Sequence, residues 1–139
     1  MDQMSHQLSL SASSFESAAF RVGQVARRLQ AEHPELAVGS VTCAAGATSY
    51  QHAEDLYVHA RLELRAGDLE AARAWADALG ADLTLKIRES KPFVSEVGEC
   101  TAVIDGIDIE VSGRRTLSPE EADAWRAQQN DGTAENGAA

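Results

Sequence analysis

Residues 98–113 read GECTAVIDGIDIEVSG. Asp105-Gly106 stands between two runs in which apolar and polar residues alternate. Asp-Gly favours a two-residue type I′ hairpin, because both central residues of that turn need positive φ. A two-residue turn fixes the register of its strands. Ile104 then faces Ile107, Ala102 faces Ile109 and Cys100 faces Val111, all six on one side. The reverse side takes Glu99, Thr101, Val103, Asp108, Glu110 and Ser112. Turn chemistry and hydrophobic pattern agree independently, so this stretch anchors the reading of the fold.

Downstream, LSPEEADAWRAQ predicts a helix. Ser118 is the N-cap, Pro119 suits the first helical position and Glu121 completes a capping box. Leu117 is placed to staple onto Ala122, and Trp125 to anchor the helix. NDGTAENGAA, residues 130–139, has the composition of a disordered tail.

Upstream, ADLTLKIRES alternates, with Leu83, Leu85 and Ile87 on one side. GDLEAARAWADALG predicts a helix capped by Asp68, with Leu69, Ala72, Ala76 and Leu79 as its stripe, Trp75 beside it and Gly80 as a left-handed stop. DLYVHARLELRAG places Leu56, Val58, Ala60, Leu62 and Leu64 on one face. Asp55, Tyr57, His59, Arg61, Glu63 and Arg65 fall on the other. VGSVTCAAGA predicts a strand with Val41, Cys43 and Ala45 inward. Gly39 is a candidate bulge, since Val38 falls on the wrong parity. GATSYQHAED then reads as a long hairpin connection.

SSFE, residues 13–16, matches a capping box. It opens a helix whose apolar face is Phe15, Ala18, Ala19, Val22, Val25, Ala26 and Leu29. Arg21, Gln24, Arg27 and Arg28 lie opposite, and EHPEL ends the helix, because the residue before a proline is pushed out of helical geometry. The expected order is α-β-β-α-β-β-β-α. This is an α+β two-layer sandwich, a mostly antiparallel sheet of four to five strands with helices on one face. Residues 1–13 form a flexible arm, 14–129 a single domain and 130–139 the tail.

The formal net charge is −10 over 139 residues. Residues 1–65 hold 7 acids and 5 bases, whereas 66–139 hold 15 and 7. Such a field repels phosphates and anionic membranes, so no direct nucleic-acid or membrane contact is expected. It suits solubility, or a basic protein partner. Hydrophobic residues make up 44% and aromatics only 5%, so the core is aliphatic and packed around alanine. The N-terminus lacks a basic start with an apolar run, and no apolar stretch is long enough to span a bilayer. Two cysteines without a CxxC pair fit a cytoplasmic protein with reduced thiols.

QHAEDLYVH, residues 51–59, gathers two histidines and two acids. On a helix, Asp55 and His59 would share a face. The leucine alternation makes this a strand, which sets them about 13 Å apart, too far to chelate together. No metal and no cofactor is expected. His59 with Tyr57 and nearby carboxylates is the candidate set for a small hydrolase or isomerase, which requires a pocket that the alternation does not predict. The reverse face of the hairpin supplies the other candidates. Glu99, Asp105, Asp108 and Glu110 form either a docking surface for a basic partner or the wet face of a one-sided sheet. Cys43 and Cys100 fall on core faces. Phe20, on the outer flank of the first helix, packs under the arm or marks contact with another subunit.

The stretches RLQAEHPEL, AARAWADALGADL and GECTAVIDGIDIEV, with ten arginines against two lysines, resemble short uncharacterised proteins of high-GC actinobacteria and their phages or integrated elements. The resemblance covers residues 15–112. It implies no activity, and no functional residue is carried over from it. The function expected is a small acidic, non-enzymatic binding or accessory protein acting through protein contacts. On a mobile element it would modulate a nucleic-acid-handling protein through its acidic surface. A homo-oligomeric assembly protein, joined through one sheet edge or the Phe20 side, is a further alternative.

Overall fold

The computed structural model describes residues 3–51 and 55–138. The elements are α1 (Gln3–Glu32), β1 (Ser40–Ser49), β2 (Leu56–Arg65), α2 (Leu69–Leu79), β3 (Thr84–Ser90), β4 (Phe93–Ile104), β5 (Ile107–Thr116) and α3 (Pro119–Ala138). Their order is the one expected. The strands form one sheet in the order β1-β2-β5-β4-β3. Only β2 and β5 run parallel.

The β4–β5 hairpin has the predicted turn, with φ of 51° at Asp105 and 76° at Gly106. Ile104 pairs with Ile107, Ala102 with Ile109 and Cys100 with Val111. The parallel ladder carries this face on to β2, pairing Leu62 with Ile109 and Leu64 with Val111. Two helices cover it. α1 contributes Ala18, Val22, Val25 and Leu29, and α2 contributes Ala72, Trp75 and Ala76. Leu62, Ile107 and Ile109 are fully enclosed. Each such side chain contributes about 1.5–3 kcal/mol through burial.

α2 begins at Asp68, whose carboxylate accepts from the Ala71 amide at 2.8 Å, and stops at Gly80 in the left-handed conformation. It lies very close to the sheet. Beneath it Gly98 and Gly113 sit side by side on β4 and β5. A Cβ on Gly113 would collide with the Asp68 carbonyl and lie 2.7 Å from the Ala72 methyl. One on Gly98 would lie 2.7 Å from Leu69 Cδ1. The paired glycines form a shallow notch that receives the first turn of α2.

α3 starts with the predicted reciprocal cap. The Ser118 amide donates to Glu121 at 3.0 Å, and the Glu121 amide donates to the Ser118 hydroxyl at 3.2 Å. Ion pairs of Arg115 with Glu96 and Glu121, and of Arg126 with Glu89, tie α3 to the β3–β4–β5 end of the same sheet face.

Several expectations at the level of single elements change. α1 begins at Gln3, so residues 3–12 are helical rather than a loose arm, and the SSFE box lies inside the helix. Those residues contain neither Gly nor Pro, and their end of the helix is docked on β1. Ser11 and Ser49 hydroxyls meet at 2.6 Å, and Ser49 donates to the Gln7 carbonyl at 3.3 Å. β1 runs to Ser49 in unbroken register with β2, so the expected long connection shrinks and Gly39 is no bulge. Gly39 precedes the strand and donates to the Arg65 carbonyl at 2.7 Å. Cys43 has the inward parity but is exposed, because β1 is an edge strand that α1 covers only in part. Phe15 and Leu85 are likewise exposed at the margins of the core. The backbone of α3 stays helical to Ala138, where composition predicts a tail from residue 130.

Candidate functional site

The open face of the sheet holds most of the residues singled out from sequence. It does not present an acidic surface. Glu99 lies between Lys86 at 3.1 Å and Arg88 at 3.3 Å, both on β3. Asp108 is level with Arg61 on β2, and Glu110 with Glu63. Parity adds Arg65 and Arg114 to this face, so Glu63, Glu99, Asp108 and Glu110 share it with Arg61, Arg65, Lys86, Arg88 and Arg114. Asp105 leaves the group altogether. At the hairpin tip it pairs with Arg28 of α1 at 3.1 Å, on the helix side of the sheet. Arg28 also binds Glu32, and this hydrogen bond is the main reason that its pKa lies above the ordinary arginine value. Asp105 thus stands apart from the other candidate acids, Glu99 and Glu110 line one hollow with Glu63, and the net negative charge resides elsewhere, on α3 and in the loops and turns.

His59 and Tyr57 also stand on the open face. Both are exposed. The ring of His59 lies over Gly46 on β1, directly opposite, filling the space that a side chain there would occupy. Among the described residues no carboxylate bonds to His59. His52 and Glu54 lie outside the described residues. Among those described, no three His, Cys, Asp or Glu side chains come together in a way that could hold a metal ion. Cys100 is buried beneath the helices, and burial raises its thiol pKa, which keeps it in the unreactive form.

A different place has the shape of a binding site. An open cavity of about 450 Å³ lies between the C-terminal half of α1, the 33–38 loop and the upper ends of β1 and β2. Leu62 and Leu64 line it from β2, and Val41 from β1. Ala26, Leu29, Leu36, Val38 and Trp75 complete the apolar lining. Arg27, Gln30 and His33 add polar groups. Largely apolar walls with a few polar groups are the usual make-up of a ligand site, and the volume falls in the usual range.

The loop is held in place from below. Trp75 Nε1 donates to the Ala37 carbonyl at 2.9 Å. The His33 ring meets the Trp75 ring edge-on, with centroids 5.9 Å apart. Arg27 has no ion-pair partner among the described residues, so its five donors are available. Sequence reasoning missed this site. The signal available was Leu36 and Val38, two aliphatic residues in a stretch that fits neither helical nor strand periodicity. The wrong parity of Val38 reflects its place in the cavity lining, ahead of β1, and not a bulge at Gly39.

No helix among the described residues is long and apolar enough to cross a membrane. No family model matches the chain, and no curated protein matches it.

Proposed function

We propose that the protein is a non-enzymatic binding or accessory protein whose apolar groove receives an apolar anchor from a protein partner. The groove itself carries this reading: an open, aliphatic cavity with free donors among its polar residues. Arg27 and Gln30 would donate to main-chain carbonyls of the incoming segment, while Leu36, Val38 and Val41 hold its side chain against the floor made by Leu62 and Leu64. The net charge of −10 favours basic residues flanking that anchor, through steering rather than contact. In the wider setting that the sequence resemblance suggests, the partner is a nucleic-acid-handling protein of a host or mobile element. Imitation of phosphate by the sheet face has little support, since carboxylates there alternate with guanidinium groups.

Nile red, a neutral apolar dye, tests the groove directly. Saturable binding near one dye per chain is expected, lost in Ala26→Phe, which fills the cavity from α1. A peptide-display selection on the immobilised protein then tests the function. Recovered peptides should carry an apolar anchor with basic flanks and compete with the dye. Absence of dye binding, or selected peptides that leave the dye in place, would count against the reading.

A further inference from the structure

The two edges of the sheet are built differently. β3 carries Lys86, Arg88 and Glu89 in seven residues and is followed by Lys91-Pro92. Charged side chains and proline are the usual means of blocking further strand pairing. β1, SVTCAAGATS, has ten residues with no charge, no histidine and no proline. It pairs with β2 without a bulge, and among the described residues its other side has no strand partner. Each of the other four strands carries at least two charged residues.

The helix beside this edge matches it. The α1 flank with Arg21 and Arg28 faces the β4–β5 hairpin. Leu8, Ala12, Phe15 and Ala19 lie on the opposite flank. Ala26 and Gln30 continue that flank and share the groove with Val41 of β1. None of these six is charged, and Leu8 and Phe15 are exposed. α1 is fastened along this edge through Ser11 and Ser49. An uncharged strand and an uncharged helix flank thus form one continuous side of a chain whose net charge is −10.

We infer that this side is the interface for a second copy of the chain, with β1 pairing antiparallel to its counterpart about a two-fold axis and the α1 flanks meeting above it. A two-fold axis sets each surface against itself, so any charge near the axis meets its own sign. On this strongly acidic chain, β1 is the strand that can be paired with itself without that penalty. Ala44, Ala45, Gly46 and Ala47 keep the centre of the strand slim. The pairing consumes the free edge and closes the assembly at two copies, whereas the charged β3 edge blocks extension of the ten-stranded sheet. The groove, with Arg27, lies at the margin of this side, bordered by Ala26, Gln30 and Val41; the dye reads the groove, and the oligomeric state with the β1 lysines reads the edge.

Light scattering across a micromolar concentration series should show a dimer. Thr42→Lys/Thr48→Lys places charges on exposed positions of β1 and should weaken self-association by about tenfold or more without lowering the thermal unfolding temperature of the monomer. Hydrogen exchange on the unmodified protein supplies a readout that needs no variant. Amides of residues 40–49 should be protected at high concentration and exchange faster on dilution. A monomer throughout the series, a dimer that survives both lysines, or β1 exchange independent of concentration would each overturn the proposal.

Discussion

His59 shows how much one residue's surroundings decide. Its neighbours in sequence suggest acid–base chemistry, yet strand alternation turns it to the open face, where it shields the bare backbone of Gly46. Gly113 has the reverse character, since nothing in its neighbourhood in sequence marks it. Gly113→Ala should destabilise the fold by about 1–3 kcal/mol, as overpacking against backbone does. Gly67→Ala, with open space around it, should change stability by less than about 0.5 kcal/mol. Urea unfolding of the two variants checks the contrast. Cys100 should react with a thiol reagent only as fast as the protein unfolds, which stopped-flow labelling in denaturant would show. The buried state of Cys100 was legible, because the hairpin register placed it opposite Val111. The exposure of Cys43 was not, because it depends on which strand ends the sheet.

At the level of elements, local chemistry was the most legible part. The Asp105-Gly106 turn, the Asp68 cap, the Gly80 stop and the Ser118–Glu121 box all appear as read. Each depends on residues within a few positions of one another. Ser118→Ala should cost about 1 kcal/mol, measured by chemical denaturation. Glu121 adds a pH dependence. Its pKa lies below the usual glutamate value, first because the Ser118 amide bonds to it and then because of Arg115. A lowered folded-state pKa means that its contribution is present above the ordinary glutamate range. That contribution is lost as pH falls through the lowered value. Glu121→Gln should therefore lower stability at neutral pH, where the carboxylate contributes, change it little in strong acid, and so flatten the acid limb of the stability profile. The early start of α1 was not legible, since the bonds from Gln7 and Ser11 to Ser49 span some forty residues.

The whole molecule depends on strand order, and that order lies beyond any local pattern. The chain leaves β2, crosses over β5 and β4 by way of α2 to the far edge at β3, and returns through two hairpins to lie beside β2. This route brings Trp75 under the 33–38 loop and makes the groove. Trp75→Phe should cost about 1–3 kcal/mol, since the Ala37 carbonyl loses its donor. It should also weaken Nile red binding, which titration would measure. The same route divides the molecule mechanically. Glycine hydrogens are all that separate the start of α2 from the strands beneath it, so that half has no clearance in which to slide or tilt. The other half, where α1 and the far side of its trailing loop border a cavity of about 450 Å³, has room that the α2 half lacks between helix and sheet. An occupant entering from that side would press against a wall that cannot retreat.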